Sequence, residues 1–85
     1  MTLYEIKLNK HIRQKLKYYR ALYNLDKSRN DKITQEKLAE MTELSTSLIG
    51  GMESEREYQG CSIYSLWKIS KILGISMDKF FEGFE

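Results

Sequence analysis

The sequence predicts an all-α domain, and three observations carry that prediction. No proline occurs in the 85 residues, β-branched residues are scattered, and apolar residues recur at helical spacing. Ser or Thr also stands ahead of successive apolar segments, at Thr34, Ser45, Ser62 and Ser76, where a hydroxyl can cap a helix start.

Helix 1 follows from Leu8, Ile12, Leu16, Tyr19 and Tyr23, spaced 4, 4, 3 and 4 residues apart. Asn24 to Lys32 is almost devoid of apolar residues and reads as a loop. Thr34 caps a short helix from Gln35 to Met41, with Glu36 near the positive end of its dipole. Thr42, Glu43 and Leu44 interrupt it, and Ser45 caps a third helix from Thr46 to Glu53. A polar segment with Gly60 leads to Ser62, which caps a fourth helix striped by Ile63, Leu66, Ile69, Ile72 and Leu73. Gly74 ends that helix at a C′ position. Ser76 caps a last short helix that turns Met77, Phe80 and Phe81 inward. Tyr19, Trp67, Phe80 and Phe81 are assigned to the core, not to base stacking.

A chain of this length makes one domain. With 41% hydrophobic and 31% charged residues it lies outside the disordered class. No apolar run approaches the ~20 residues that cross a bilayer, and the first ten residues lack the apolar stretch of a signal peptide. Cys61 and His11 fall short of the roughly four ligands a zinc site takes, so no metal or other cofactor is expected. The lone cysteine fits a reducing cytoplasm and reads as a small filler, not a redox sensor. One histidine, no nucleophile constellation and no room for a substrate cleft argue against an enzyme.

The net charge of +2 conceals a gradient. Residues 1–32 carry +6, from Lys7, Lys10, Arg13, Lys15, Lys17, Arg20, Lys27, Arg29 and Lys32 against Glu5, Asp26 and Asp31. Residues 33–62 carry −4, and the remainder balances. A basic first third suits a polyanionic partner or forms a solvated helix face.

The two short helices have the spacing of a helix-turn-helix. Leu38, Ala39, Leu44, Ile49 and Met52 occupy the positions that lock two helices across the turn, and Ala39 is small where they cross. Such a unit serves double-stranded DNA because a rigid helix held proud of the surface fits a major groove ~12 Å wide.

Ile12, Leu16, Tyr19 and Arg20, then Ile33 through Glu40, then Leu44 through Ile49 with Met52 and Glu53, and finally Leu66 through Phe81, appear in that order. Over residues 12–81 the chain resembles the lambda-repressor/Cro-like (XRE) helix-turn-helix family. The resemblance implies a compact five-helix DNA-binding domain of a bacterial or phage transcription regulator, with residues 1–11 extending helix 1, the helix-turn-helix unit at 35–54 and a tail at 82–85. It implies a homodimer on a two-fold operator, joined through the last helix by Phe80, Phe81 and Phe84, unless Phe84 folds back onto the core. It places Gln35 and the residues after Ser45 at the DNA, which are Thr46, Ser47, Leu48, Gly50 and Gly51. The helix dipoles at Thr34 and Ser45 also suit DNA. Arg56, the only basic group in the loop after that helix, is read as reaching a phosphate or the minor groove. Arg20 and Glu53 match an arginine and a glutamate that brace helix 1 against the recognition helix. No small-molecule ligand is expected within this chain.

The sequence departs from the family in three places. Glu43 stands where glycine is usual in the turn. The loop before helix 2 is longer than usual and brings in Lys27, Arg29 and Lys32, as phosphate contacts or as a tolerated insertion. The third helix lacks Arg, Lys, Asn and Gln, the strong base readers, and holds two glycines. That poverty leaves an alternative open: a protein-interaction module, an anti-repressor or regulator subunit, that keeps the fold without reading a duplex.

Overall fold

Leu16, Leu38, Ile49, Ile69 and Phe80, one from each helical element, are fully buried and anchor a single core. A side chain of this kind contributes ~2 kcal/mol when buried. The computed structural model describes residues 2–54 and 61–85. Within them lie α1 (Leu3–Asn24), α2 (Gln35–Thr42), α3 (Thr46–Glu53) and α4 (Ile63–Leu73), followed by a 3-10 turn at Met77–Phe80. No strand occurs among the described residues, which makes this part of the chain all-helical. The expected fifth helix is a correction: Met77 to Phe80 form one 3-10 turn. Ser76 supplies it no backbone cap, because its hydroxyl bonds Asp78 Oδ1 instead. That bond holds the Asp78 carboxyl below its ordinary pKa.

The 22 residues of α1 make a rod ~33 Å long at 1.5 Å per residue. It sets the long dimension of a molecule 41 × 25 × 21 Å in extent. Its start is a capping box: Thr2 Oγ1 accepts from Glu5 N–H, and Thr2 N–H donates to Glu5 Oε1, both at 3.2 Å. From Leu3 onward the N-terminal residues are continuous with the rest of α1.

The ends of the long loop are pinned by one side chain. Asn24 Oδ1 accepts from Ile33 N–H at 2.7 Å, and Asn24 Nδ2 donates to Ile33 O at 2.8 Å. Inside the loop, Lys32 N–H bonds Ser28 O and the Ser28 hydroxyl donates to Asp31 Oδ2. Ile33 is thereby carried into the core, immediately before α2.

α2 packs most closely against α3; α2 rests in turn on α4, and α3 on α1. Thr34, Ser45 and Ser62 each accept a backbone N–H three residues on, at Lys37, Leu48 and Ser65. α2 and α4 end alike. Glu43 and Gly74 take the left-handed conformation at φ 60° and 70°, and the next N–H, of Leu44 or Ile75, returns to Ala39 O or Ser70 O. Leu44 and Ile75 then pack on the core.

Three side chains assigned to the interior lie outside it. Trp67 is 47% exposed and Ile63 78% exposed. The inward arc of α4 is Ser65, Leu66, Ile69, Ser70 and Leu73. Residues 63, 67 and 71 share a different arc at four-residue spacing. Phe81 is exposed as well, whereas Tyr19 is half-buried against the core. Phe84 turns back onto α1, its ring centroid 5.4 Å from that of His11. His11 Nε2 donates to Glu82 O at 2.8 Å, and Tyr19 hydroxyl donates to Glu82 Oε2 at 3.1 Å. Of the three phenylalanines near the C terminus, Phe80 is therefore core, Phe84 is committed to α1 and Phe81 is free.

Candidate nucleic-acid interface

α3 is held from behind. Ile49, Met52 and Glu53 are its buried residues. Glu53 accepts from Arg20 at two points, Nε to Oε2 at 2.7 Å and Nη2 to Oε1 at 2.8 Å. Arg20 Nη1 also donates to Ile33 O at 3.1 Å. This charge-assisted fork pushes the Arg20 pKa above its ordinary value, so the guanidinium stays charged. Gln35 Nε2 donates to Glu53 Oε1 at 3.1 Å, which draws the first residue of α2 into the same network.

Arg13 adds a second support that sequence reasoning missed. It is buried in the middle of α1, and its Nε donates to Gly51 O at 3.3 Å in the last turn of α3. A cation suits that place because the carbonyl end of a helix carries partial negative charge. The basic charge counted in the first third is therefore partly internal. Arg13 and Arg20 serve the scaffold, while Lys7, Lys10, Lys17, Lys27, Arg29 and Lys32 are exposed.

The first turn of α3 faces solvent. Ser45, Thr46, Ser47 and Leu48 are exposed, with Leu48 at 41%. Gly50 and Gly51 are half-buried, and a methyl placed on Gly50 would lie 3.5 Å from Gln35 Oε1, ordinary contact. Gln35 itself is half-buried at the α2–α3 junction, tied to the ion pair. Thr34 is exposed at the start of α2, so two capped helix N-termini, each with backbone N–H groups, open on the same unit. The exposed part of α3 carries no formal charge. Arg56 lies outside the described residues.

The loop lysines differ in their surroundings. Lys27 Nζ sits 3.9 Å from Asp26 and 5.0 Å from the centre of the Tyr23 ring. Lys32 lines an open cleft of about 410 Å³ with Lys17, Arg20, Asn24 and Leu25, between α1 and the loop. Lys17 is the residue that the sequence reading did not single out here. A second cleft, of about 270 Å³, lies between the end of α2 and α4.

Cys61 is partly buried against the core, and burial pushes its thiol pKa up. Among the described residues no group of three or more His, Cys, Asp or Glu side chains is placed to hold a metal ion. Nor is any helix among them long and apolar enough to cross a membrane.

Comparison with protein-family models, with curated proteins and with solved structures returns no match. The family resemblance thus rests on the residues of the chain itself.

Proposed function

We propose that the chain is a sequence-specific DNA-binding transcriptional regulator, in its simplest form a repressor. It would sit as a homodimer on a two-fold operator, with α3 in the major groove. One observation carries the reading. The back and end of α3 are clamped by Arg13, Arg20 and Glu53, while its capped first turn stands exposed. A helix used for reading needs that rigidity, since contact with base edges requires a fixed orientation.

Thr46 and Ser47 are the hydrogen-bonding readers, and Leu48 is positioned by its exposure to meet a thymine methyl. The N-termini at Thr34 and Ser45 suit phosphates, as do Lys17, Lys27, Arg29 and Lys32. With so few strong readers, part of the specificity is indirect, through the shape and stiffness of the operator.

Selection of bound duplexes from a random pool tests the reading. The expected outcome is a palindrome whose half-sites lie ~10 bp apart, centre to centre. Replacing Thr46 and Ser47 with alanine is expected to relax the selected sequence; an unchanged preference removes them as readers.

A second reading has its own support. The exposed surface of α3 is uncharged and includes Leu48, which suits a protein partner as well as a groove. An interaction module of this kind would enrich no duplex in the same selection.

A further inference from the structure

We propose that the outer face of α4 is a self-complementary surface through which two copies of this chain associate. Ile63, Tyr64 and Trp67 stand on it, the tyrosine 60% exposed, and Met41 at the end of α2 continues it across the adjoining cleft. Tyr64 and Trp67 lie nearly parallel, with ring planes 16° apart and centroids 6.3 Å apart. Lys68 Nζ sits 4.6 Å from the centre of the first ring, and Lys71 Nζ 5.6 Å from that of the second. Scattered apolar residues are normal on a surface, but a contiguous cluster of this kind marks an interaction site. Its centre of Trp, Tyr and Met, with charges at the edge, has the composition of interface cores.

Charge identifies the occupant. The cleft carries Glu43 and Lys71 together, and neither forms an ion pair among the described residues. A surface that offers both signs around an apolar centre fits itself. In a two-fold contact residue i meets j while j meets i, so Lys71 of each copy meets Glu43 of the other. Nucleic acid is the poorer fit, since lysines already occupy ring faces that a base would stack on, and Glu43 repels phosphate. An acidic peptide meets the same obstacle at Glu43.

The inference extends the homodimer of the proposed function and moves its contact from the C-terminal phenylalanines to α4. It concerns self-association alone. A dimer that enriches no duplex ends the DNA reading and leaves this one standing.

Trp67 is the only tryptophan in the chain, so its fluorescence reports directly on this face. The experiment follows mass by sedimentation, together with emission wavelength and acrylamide quenching, from ~1 µM to ~1 mM chain, the range of weak to moderate affinities. The expected result is a doubling of mass that coincides with a blue shift and a loss of quenching. Lys71→Glu and Glu43→Lys are each expected to weaken the dimer by up to about fivefold, and the double exchange to restore it. Circular dichroism melting of each variant separates loss of dimer from loss of fold. A monomer throughout overturns the proposal, as does a dimer with unchanged tryptophan emission. So does a dimer abolished by Phe81→Ala but indifferent to the charge exchange.

Discussion

Arg20 and Glu53, 33 residues apart in sequence, meet in a two-point ion pair of 2.7 and 2.8 Å that joins α1 to the last turn of α3. The Glu53 side chain is 2% exposed and that of Arg20 20% exposed, so the carboxylate depends on its partner in place of water. Removing one member of such a pair leaves the other charge buried. Arg20→Ala is therefore expected to cost ~3 kcal/mol in a urea titration. Replacing both residues by apolar ones of similar volume is expected to recover most of that loss.

Gly50 weakens α3 without any steric need for glycine. An added methyl would meet Gln35 Oε1 at 3.5 Å, ordinary contact. Gly50→Ala is expected to stabilise the fold by ~1 kcal/mol, read as a rise in the urea midpoint. The same variant separates the two functional readings. If DNA backbone approaches α3 closely at Gly50, affinity for a selected duplex falls as stability rises.

The left-handed ends of α2 and α4 invite opposite substitutions. Glu43 holds φ 60° with a side chain, and Gly74 holds φ 70° without one. Glu43→Gly is expected to stabilise the chain and Gly74→Ala to destabilise it, each by ~1 kcal/mol. A space-filling explanation fails at Gly74, where an added methyl would meet nothing within 4 Å. Equal melting temperatures for Gly74→Ala and the parent would remove backbone strain as the reason for this glycine.

Cys61 is expected to react slowly. Burial raises its thiol pKa, so at neutral pH less of it is thiolate than in an unfolded chain. Because the folded pKa is the higher one, the associated stability is intact below the unfolded value and lost as pH rises through the folded value. Alkylation with iodoacetamide at neutral pH is expected to speed up when urea unfolds the chain. A folded-state rate equal to the unfolded rate would contradict the burial argument.

Lys17 and Lys32 flank one cleft and supply phosphate-seeking charge on the DNA reading. Replacing either with alanine is expected to weaken binding to every duplex alike and to lower the slope of log affinity against log salt by ~1. A change in sequence preference with an unchanged slope would make that lysine a base reader instead.

Short-range chemistry was the legible part of this fold. Thr34, Ser45 and Ser62 cap helices because a hydroxyl reaches an N–H three residues on, a relation confined to one turn. Gly74 marks a helix end for an equally local reason, and so does the Thr2–Glu5 box, a T-x-x-E signal that the sequence reading passed over. The Arg20–Glu53 pair was legible only through a family resemblance, because neither composition nor periodicity relates residues so far apart. Nothing local distinguishes Arg13 from the lysines around it. It lies between Ile12 and Leu16 on the buried face of α1, where α3 provides a carbonyl to receive it.

The sequence by itself determined where the α-helices lie, because turns, caps and apolar periodicity act over a few residues. Tertiary packing decided which apolar residues face inward and which charges remain available. An eight-residue helix makes little more than two turns, and two adjacent apolar arcs on α4 look equally suited to burial. Contact with α1 and α2 buried Leu66, Ile69 and Leu73 and left Ile63, Tyr64 and Trp67 outside. The same packing tied Phe84 to His11 and drew two arginines out of the basic surface, consequences of which helices touch and at what angle.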